Sequence, residues 1–420
     1  MLKVKKPKAI VYGWTSVGIF DIPTDVYFEE DLFYESTVIS LEWRNRVEED
    51  FCAHSADIII SIGFEIQVPE HLKLRYFVYQ ETPLDNVLAN DIACQSTFVA
   101  SKLLENRPYF SVFTPTYKTP KSSIQRAYNS LCKQTYKNWE WIVLDDSPDD
   151  DNETWDSLNR ISEKDSRVKV YRVTPRSFGN IGLVKNRAAS FCNGEWLLEL
   201  DHDDALISTC LEECKKASEK FPGAGFIYTD CCELYENGDF RSYYEVREDF
   251  YGREDNWFNF GYSGHTIEEA DGKKYLRHHY AEINPITIRF NITMPNHARM
   301  WKRDIYYKIG GHNKELPVAD DFDLIVRTFL ETKMIHVKKM LYLQYNNHNS
   351  TVDNNYININ LRARLIRDYY DREIHNRILK LGKTDWVWME KEGHARKFNS
   401  FNKGEIKLFE EEQYMNYIYE

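Results

Sequence analysis

The first hundred residues carry short apolar runs set between polar spacers. "KAIVYGW" (8–14), "STVISLEW" (36–43), "ADIIISIGF" (56–64) and "LRYFVYQ" (74–80) each have the length and the β-branched or aromatic content of a strand. Their spacing predicts a small α/β unit over residues 1–105. No G-x-G-x-x-G loop follows any of them, so the pattern assigns this unit no nucleotide site. "ENRP" (105–108) then separates two strongly patterned regions, with Pro108 as the break.

From Phe110 the rhythm sharpens. "YFSVFT" reads as a strand, and "KSSIQRAYNSLCKQTY" puts Ile124, Ala127, Tyr128, Leu131 and Cys132 on one helical face. A strand "WEWIVLDD", a helix around Trp155, Leu158 and Ile161, a strand "VKVYRV", a helix "NIGLVKNRAASFC" and a strand "EWLLELD" follow. This β-α repetition predicts a mainly parallel sheet between helices, joined by right-handed crossovers. Near Asp320 a further helix starts, with Leu324, Ile325 and Phe329 on its buried face, and from residue 356 the tail has helical spacing with Arg362, Arg364 and Arg367 along it. Such a charge run reads first as a solvated helix face. The chain thus divides into 1–105, 106–352 and a helical extension 353–420.

Bulk properties narrow the class. With 420 residues and 42% hydrophobic content, the chain has enough apolar material for a large ordered core. Its longest apolar stretches fall well short of the ~20 residues a membrane helix requires. The basic N-terminus runs straight into a strand, without the apolar core and cleavage site of a signal peptide. Eight cysteines show no C-x-x-C pair or finger-like spacing, so neither zinc nor a disulfide framework is suggested, and they read as reduced thiols. Together these predict a soluble, cytoplasmic protein. A formal charge of −12 disfavours a nucleic-acid coat without excluding a local basic groove.

Polar clusters close the predicted strands. "TPTY" (114–117) ends the first strand of the second region, Asp145 and Asp146 end the next, and Asp201, Asp203 and Asp204 follow "WLLEL". In an open α/β sheet, ligands bind beyond the carboxyl ends of the strands, so all three clusters belong to one edge. Carboxylates gathered there repel one another unless a cation or a donor-rich ligand joins them. Asp201, His202 and Asp203 form a D-x-D, which suits magnesium or manganese bridging phosphates to an acidic edge. A D-x-D alone is more often a solvated loop; its place behind a buried strand favours the site. Asp145 and Asp146 also fit an Asx turn.

The order of these motifs resembles the family 2 glycosyltransferases of GT-A fold. The resemblance rests on "SVFTPTYK" (111–118), "QTYKNWEWIVLDDSPDD" (134–150), "GNIGLVKNRAASFCNGEWLLELDHDD" (179–204) and "KIGGHNKELPVADDFDLIVRTF" (308–329), and covers roughly residues 109 to 350. It implies an inverting enzyme that moves a sugar from a nucleotide-sugar, a UDP-sugar by preference, to an acceptor hydroxyl. Pro115, Thr116 and Tyr117 would line the base pocket, with Asp146, and Asp145 beside it, on the uracil. Asn180, Lys185 and Arg187 would approach the nucleotide, although "GN-GL-KNR" also reads as a capped helix start. Asp201, His202 and Asp203 would hold the ribose and the metal-bound diphosphate, with Asp204 as support and His348 near the diphosphate. Asp321 would be the general base.

Asp320 stands where the family has Glu. It and Asp323 also suit the charged start of a helix. On the acceptor side the resemblance offers Trp257, Asn296, His297, Arg299 and Trp301, plus Asp320; core packing is an equal reading for the tryptophans. Gln344 is followed by Tyr, Asn and Asn, so the Q-x-x-R-W signature of processive synthases is missing and a single addition is expected. The acceptor is a glycan or another hydroxyl-bearing molecule. Two other readings stay open: transfer to a modified nucleic-acid base, and a glycan or sugar-nucleotide binding module without turnover.

Overall fold

The computed structural model describes residues 8–13, 35–40, 58–62, 65–68, 76–79, 107–148, 150–172, 176–177, 179–241, 262–280, 283, 287–290, 295–346 and 351–380. The chain divides into two compact units, residues 1–109 with 189–195, and residues 110–188 with 196–420.

In the first unit each of the four apolar runs forms a strand: β1 (Lys8–Gly13), β2 (Glu35–Ser40), β3 (Ile58–Ile62) and β4 (Tyr76–Tyr79). They lie in the order β2-β1-β3-β4, and every pairing is parallel.

The second unit is built on β5 (Phe110–Thr116), β6 (Trp139–Asp145), β7 (Val168–Tyr171) and β8 (Trp196–Glu199), parallel in the order β7-β6-β5-β8. The short β9 (Ala205–Leu206) comes next, then β10 (Ala224–Tyr235), β11 (Tyr262–Ala270), β12 (Lys273–Tyr280), β13 (Arg299–Lys302) and β14 (Lys333–Asn346). Beyond β8 the sheet turns antiparallel: β13 pairs with β8, β10 with β13, β12 with β10 and β11 with β12. β14 runs parallel to β10 and also pairs with β9. The sheet is therefore parallel from β8 to its β7 edge and mixed as a whole.

Packing explains the parallel half. Every residue of β6 is buried, which is why 141–144, Trp-Ile-Val-Leu, reads as an apolar run and not as an alternation. Trp141 satisfies its indole N–H on Thr114 Oγ1 at 2.9 Å. Helix 121–132 turns Ile124, Ala127 and Leu131 inward at helical spacing, and helix 153–162 does the same with Leu158 and Ile161. Burying each large apolar side chain of this kind stabilises the fold by roughly 1.5–3 kcal/mol. Helix 351–380 packs with Ala363, Ile366 and Ile374 inward, and Tyr370 Oη donates to Asp323 Oδ1 at 3.2 Å on helix 320–331. Cys132, Cys192, Cys210, Cys214, Cys231 and Cys232 are free thiols. Among the described residues no helix is long and apolar enough to cross a membrane.

Candidate active site

The ends of β5, β6 and β8 share one sheet edge because the three strands are parallel neighbours. Thr116 lies opposite Asp145. Asp145 is wholly internal: Oδ1 accepts Ser147 Oγ at 2.6 Å, Ser147 N at 3.2 Å and Thr116 Oγ1 at 3.3 Å, while Oδ2 accepts Arg172 Nε at 2.8 Å. Its oxygens tie the strand ends together. Asp146, one residue on, accepts the Ser177 amide at 2.8 Å and the Ser177 hydroxyl, so segment 176–177 closes over it. Pro115 is half-buried and Tyr117 is exposed at the lip.

Helix 181–190 begins with a side-chain cap: Asn180 Oδ1 accepts the Leu183 amide at 2.9 Å, and Asn180 Nδ2 reaches Lys314 O at 2.6 Å. Asn186 fastens the same helix to the turn before helix 320–331, accepting Tyr306 Oη at 3.0 Å and the His312 amide at 2.7 Å. Two glycines permit the approach. A Cβ on Gly182 would lie 2.8 Å from Asn313 O, and one on Gly311, which has φ +61°, would lie 2.3 Å from Asn186 Oδ1. Arg187 is half-buried on this helix, whereas Lys185 is buried and turns its ammonium to Glu199 Oε1 at 2.5 Å. Burial works against the Lys185 charge, but Glu199, Asp320 and Asp201 outweigh it and hold the group above the usual lysine range.

Glu199 closes β8 and is fully buried. Burial would raise its pKa; Arg299 and then Lys185 hold it well below the usual range. Arg299, opposite it in register on β13, lies 3.4 Å away through Nε, and its Nη1 donates to Asp321 Oδ2 at 3.2 Å. Its Nη2 is 2.9 Å from His297 Nε2, and that ring nitrogen is 3.1 Å from Asp201 Oδ2. Despite burial, His297, Lys185 and Arg299 keep Asp201 well below the ordinary carboxylate range. His202 and Asp203 sit half-exposed on the loop. Asp204 is buried and accepts Tyr342 Oη at 2.7 Å and the Tyr345 amide at 2.8 Å.

Several expectations change here. Trp301 is fully buried, packs on Phe226 at 5.0 Å and donates to Thr328 Oγ1 at 2.9 Å, so it is a core residue with no face open to a sugar. Asp320 is buried against His312 Nδ1 at 2.7 Å, and Asp323 pairs with Arg327, so neither faces an acceptor or caps the helix. His297 and Arg299 are buried among the charges above, and Asn296 donates to Gln344. Asp321 alone of its cluster keeps a half-exposed carboxylate, its Oδ1 accepting the Phe322 amide at 2.8 Å. Trp257 and His348 lie outside the described residues. Glu199, Tyr342, Asn186 and His312 were not marked by sequence reasoning; only Glu199, a charge inside "WLLEL", left a local signal.

Residues 111–267 match the family model described as Glycosyl transferase family 2. The chain carries a family 2 glycosyltransferase domain. Its sheet edge and mixed extension accord with the GT-A core expected of that family. An uncharacterized glycosyltransferase of Methanocaldococcus jannaschii is 20% identical over 270 residues, which cover 64% of this chain and 80% of that protein. The Escherichia coli protein named UDP-Glc:alpha-D-GlcNAc-diphosphoundecaprenol beta-1,3-glucosyltransferase WfgD is 30% identical over 102 residues, 24% of this chain and 38% of that protein. Two longer relatives match at 31% and 29% identity, and the chain spans only 14% and 10% of their lengths. Among solved structures, Staphylococcus aureus TarS 1-349 in complex with UDP-GlcNAc superimposes with a TM-score of 0.43 at 17% identity, covering 64% of this chain and 72% of that one.

Two arrangements of the family 2 domain bear on a divalent cation. Glu199, Asp201 and His297 bring ligand atoms within 4.8 Å of one another. Glu199, however, already faces Lys185 and Arg299, and a third positive centre against that pair is electrostatically opposed. The loop ahead of it differs. Burial and then Asp201 push Asp203 up, and burial, Asp203 and Asp201 push Asp204 well up. Burial and mutual repulsion disfavour the ionised carboxylates there, a cation would stabilise them, and their hard oxygen donors fit magnesium or manganese.

Proposed function

We propose that the domain is a metal-dependent, inverting glycosyltransferase that moves one sugar per encounter from a nucleotide-sugar to an acceptor hydroxyl. The observation that carries this reading is Arg299, whose Nη1 donates to the half-exposed Asp321 carboxylate suited to a base while its Nε faces Glu199, two residues before Asp201, the strand-end carboxylate suited to the donor. In this reading Asp321 takes the acceptor proton as the hydroxyl oxygen attacks the anomeric carbon. The bond from that carbon to the diphosphate breaks on the opposite face, and the nucleoside diphosphate leaves with the electron pair.

Asp201 and Asp203 would hold the cation, manganese or magnesium, which supplies charge neutralisation of the diphosphate when bound. Thr116 and Asp146 frame the base pocket, with Asp145 bracing it from beneath. A uridine donor is supported by WfgD, whose name specifies UDP-Glc. The half-exposed Asp321 suits a glycan or other hydroxyl-bearing acceptor. The test is a thermal-shift panel of UDP, GDP, CMP, TDP and several UDP-sugars, with and without manganese. Stabilisation by uridine diphosphates only when metal is present is expected; the absence of any nucleotide response would overturn the reading.

A further inference from the structure

The charged groups beneath the cleft form one connected unit, and Arg299 is its hub. Only 4% of its side chain is exposed; Nη1 donates to Asp321 Oδ2 at 3.2 Å, Nη2 faces His297 Nε2 at 2.9 Å, and Nε makes an ion pair, without a hydrogen bond, with Glu199 Oε2 at 3.4 Å. His297 Nε2 lies between Arg299 Nη2 and Asp201 Oδ2, 3.1 Å from the latter, and hydrogen-bonds one of them at a time; its ring stacks on Tyr342, with centroids 4.9 Å apart. Lys185 holds the second Glu199 oxygen at 2.5 Å.

We propose that Arg299 is a positioning residue that sets Asp321 relative to the Asp201–Asp203 loop, with buried Glu199 as its anchor; the proposal rests on the reading of Asp321 as the base.

The physical case has three parts. A guanidinium is planar and presents its donors in fixed directions, so Asp321 and His297 are held on Nη1 and Nη2 while the charge faces Glu199 from Nε; an ammonium offers no such frame. Glu199 is fully buried, and a buried carboxylate that loses its cation is strongly destabilised, so Arg299 is kept inside and cannot follow Asp321 into solvent. Asp321 is 45% exposed, so without that hold its carboxylate would sample several rotamers. The partners also come from separate elements: Glu199 from β8, Arg299 from β13, Lys185 from helix 181–190 and Asp321 from helix 320–331. The link therefore registers the base against the donor edge across the fold.

Arg299→Lys, Asp321→Asn and the double variant test this. For Arg299→Lys the expected result is an unchanged calorimetric affinity for UDP with manganese, an unchanged donor KM and a kcat reduced ~100-fold, the scale of a misplaced catalytic group. In the Asp321→Asn background the same change should cost nothing further, because its effect passes through Asp321. A kcat within about twofold of wild type in Arg299→Lys, or losses that multiply in the double variant, would overturn the positioning role. Wild-type turnover in Asp321→Asn would overturn the base reading itself, whereas an inactive Asp321→Asn beside a normal Arg299→Lys sinks only the positioning role. If Arg299→Lys does not fold, Glu199→Gln keeps the volume and removes the anchoring charge; it should show the same fall in kcat with UDP binding intact, and normal kcat there overturns the proposal.

Discussion

The hydroxyl of Tyr342 donates to Asp204 Oδ2 at 2.7 Å, and the same oxygen accepts the Asp201 amide at 3.2 Å. One phenol on β14 thus grips both sides of the acidic loop. Burial, and then the charges of Asp204 and Asp201, push its pKa well up, so it keeps the proton it donates. Tyr342→Phe leaves buried Asp204 without its hydroxyl donor and the Asp201 amide without its acceptor. A loss of about 1–3 kcal/mol in chemical denaturation is expected, together with weaker metal-dependent UDP binding by calorimetry. Full retention of both would show that the loop is held elsewhere.

Asp321→Asn keeps the shape of the side chain and its contact with Arg299 while removing the ability to take a proton. Turnover should fall by roughly 10²–10⁴ with UDP affinity preserved, as read by product formation and calorimetry on one preparation. Loss of nucleotide affinity instead would make the residue a structural one.

Asp203→Ala should separate nucleotide from metal. UDP affinity without metal stays as in the wild type, while the gain on adding manganese falls by more than the roughly 10–100-fold that loss of an outer-shell partner costs. Calorimetric titrations with and without the ion check this, and an unchanged manganese gain would remove Asp203 from the ligand set.

A different cluster sets an acid-side limit on stability. Asp230 is buried and accepts His336 Nε2 at 2.8 Å, Arg277 Nε at 2.8 Å and the Tyr280 amide at 2.9 Å. Burial would raise its pKa, but His336, the Tyr280 amide and Arg277 lower it below the ordinary 3.8. The folded state therefore binds this proton less readily than the unfolded chain. The contribution is fully present above 3.8 and fades as pH falls through the lowered folded value. Asp230→Asn should cost roughly 3 kcal/mol at neutral pH, and its deficit against the wild type should shrink on acidification below that range. A deficit independent of pH would place the effect in packing.

The strands were readable because their apolar runs are local, as in β1 to β6, and so was the acidic edge, because parallel strands must end on one side. The inward turn of Asp145 was hidden: adjacent aspartates look alike until the register with Thr116 and the reach of Arg172 are known. Arg299 and Tyr342 act on partners far away in the chain, and no periodicity encodes such pairs. The aromatic and basic stretch 289–304 reads as sugar-facing, yet β13 inserts antiparallel beside β8 and draws Trp301 and Arg299 inside. Composition reports what a segment contains; only strand pairing decides which way it faces.

Gly182 and Gly311 work through atoms that are missing. Helix 181–190 and the turn leading to Asp321 rest against each other with no allowance for a single methyl at either position. A side chain there would act as a shim, tilting the start of helix 320–331 and with it the half-exposed carboxylate of Asp321. On the proposed reading, two empty places in the backbone gauge the chemistry, and a substitution at either one should give a protein that still grasps its nucleotide but has lost its stroke.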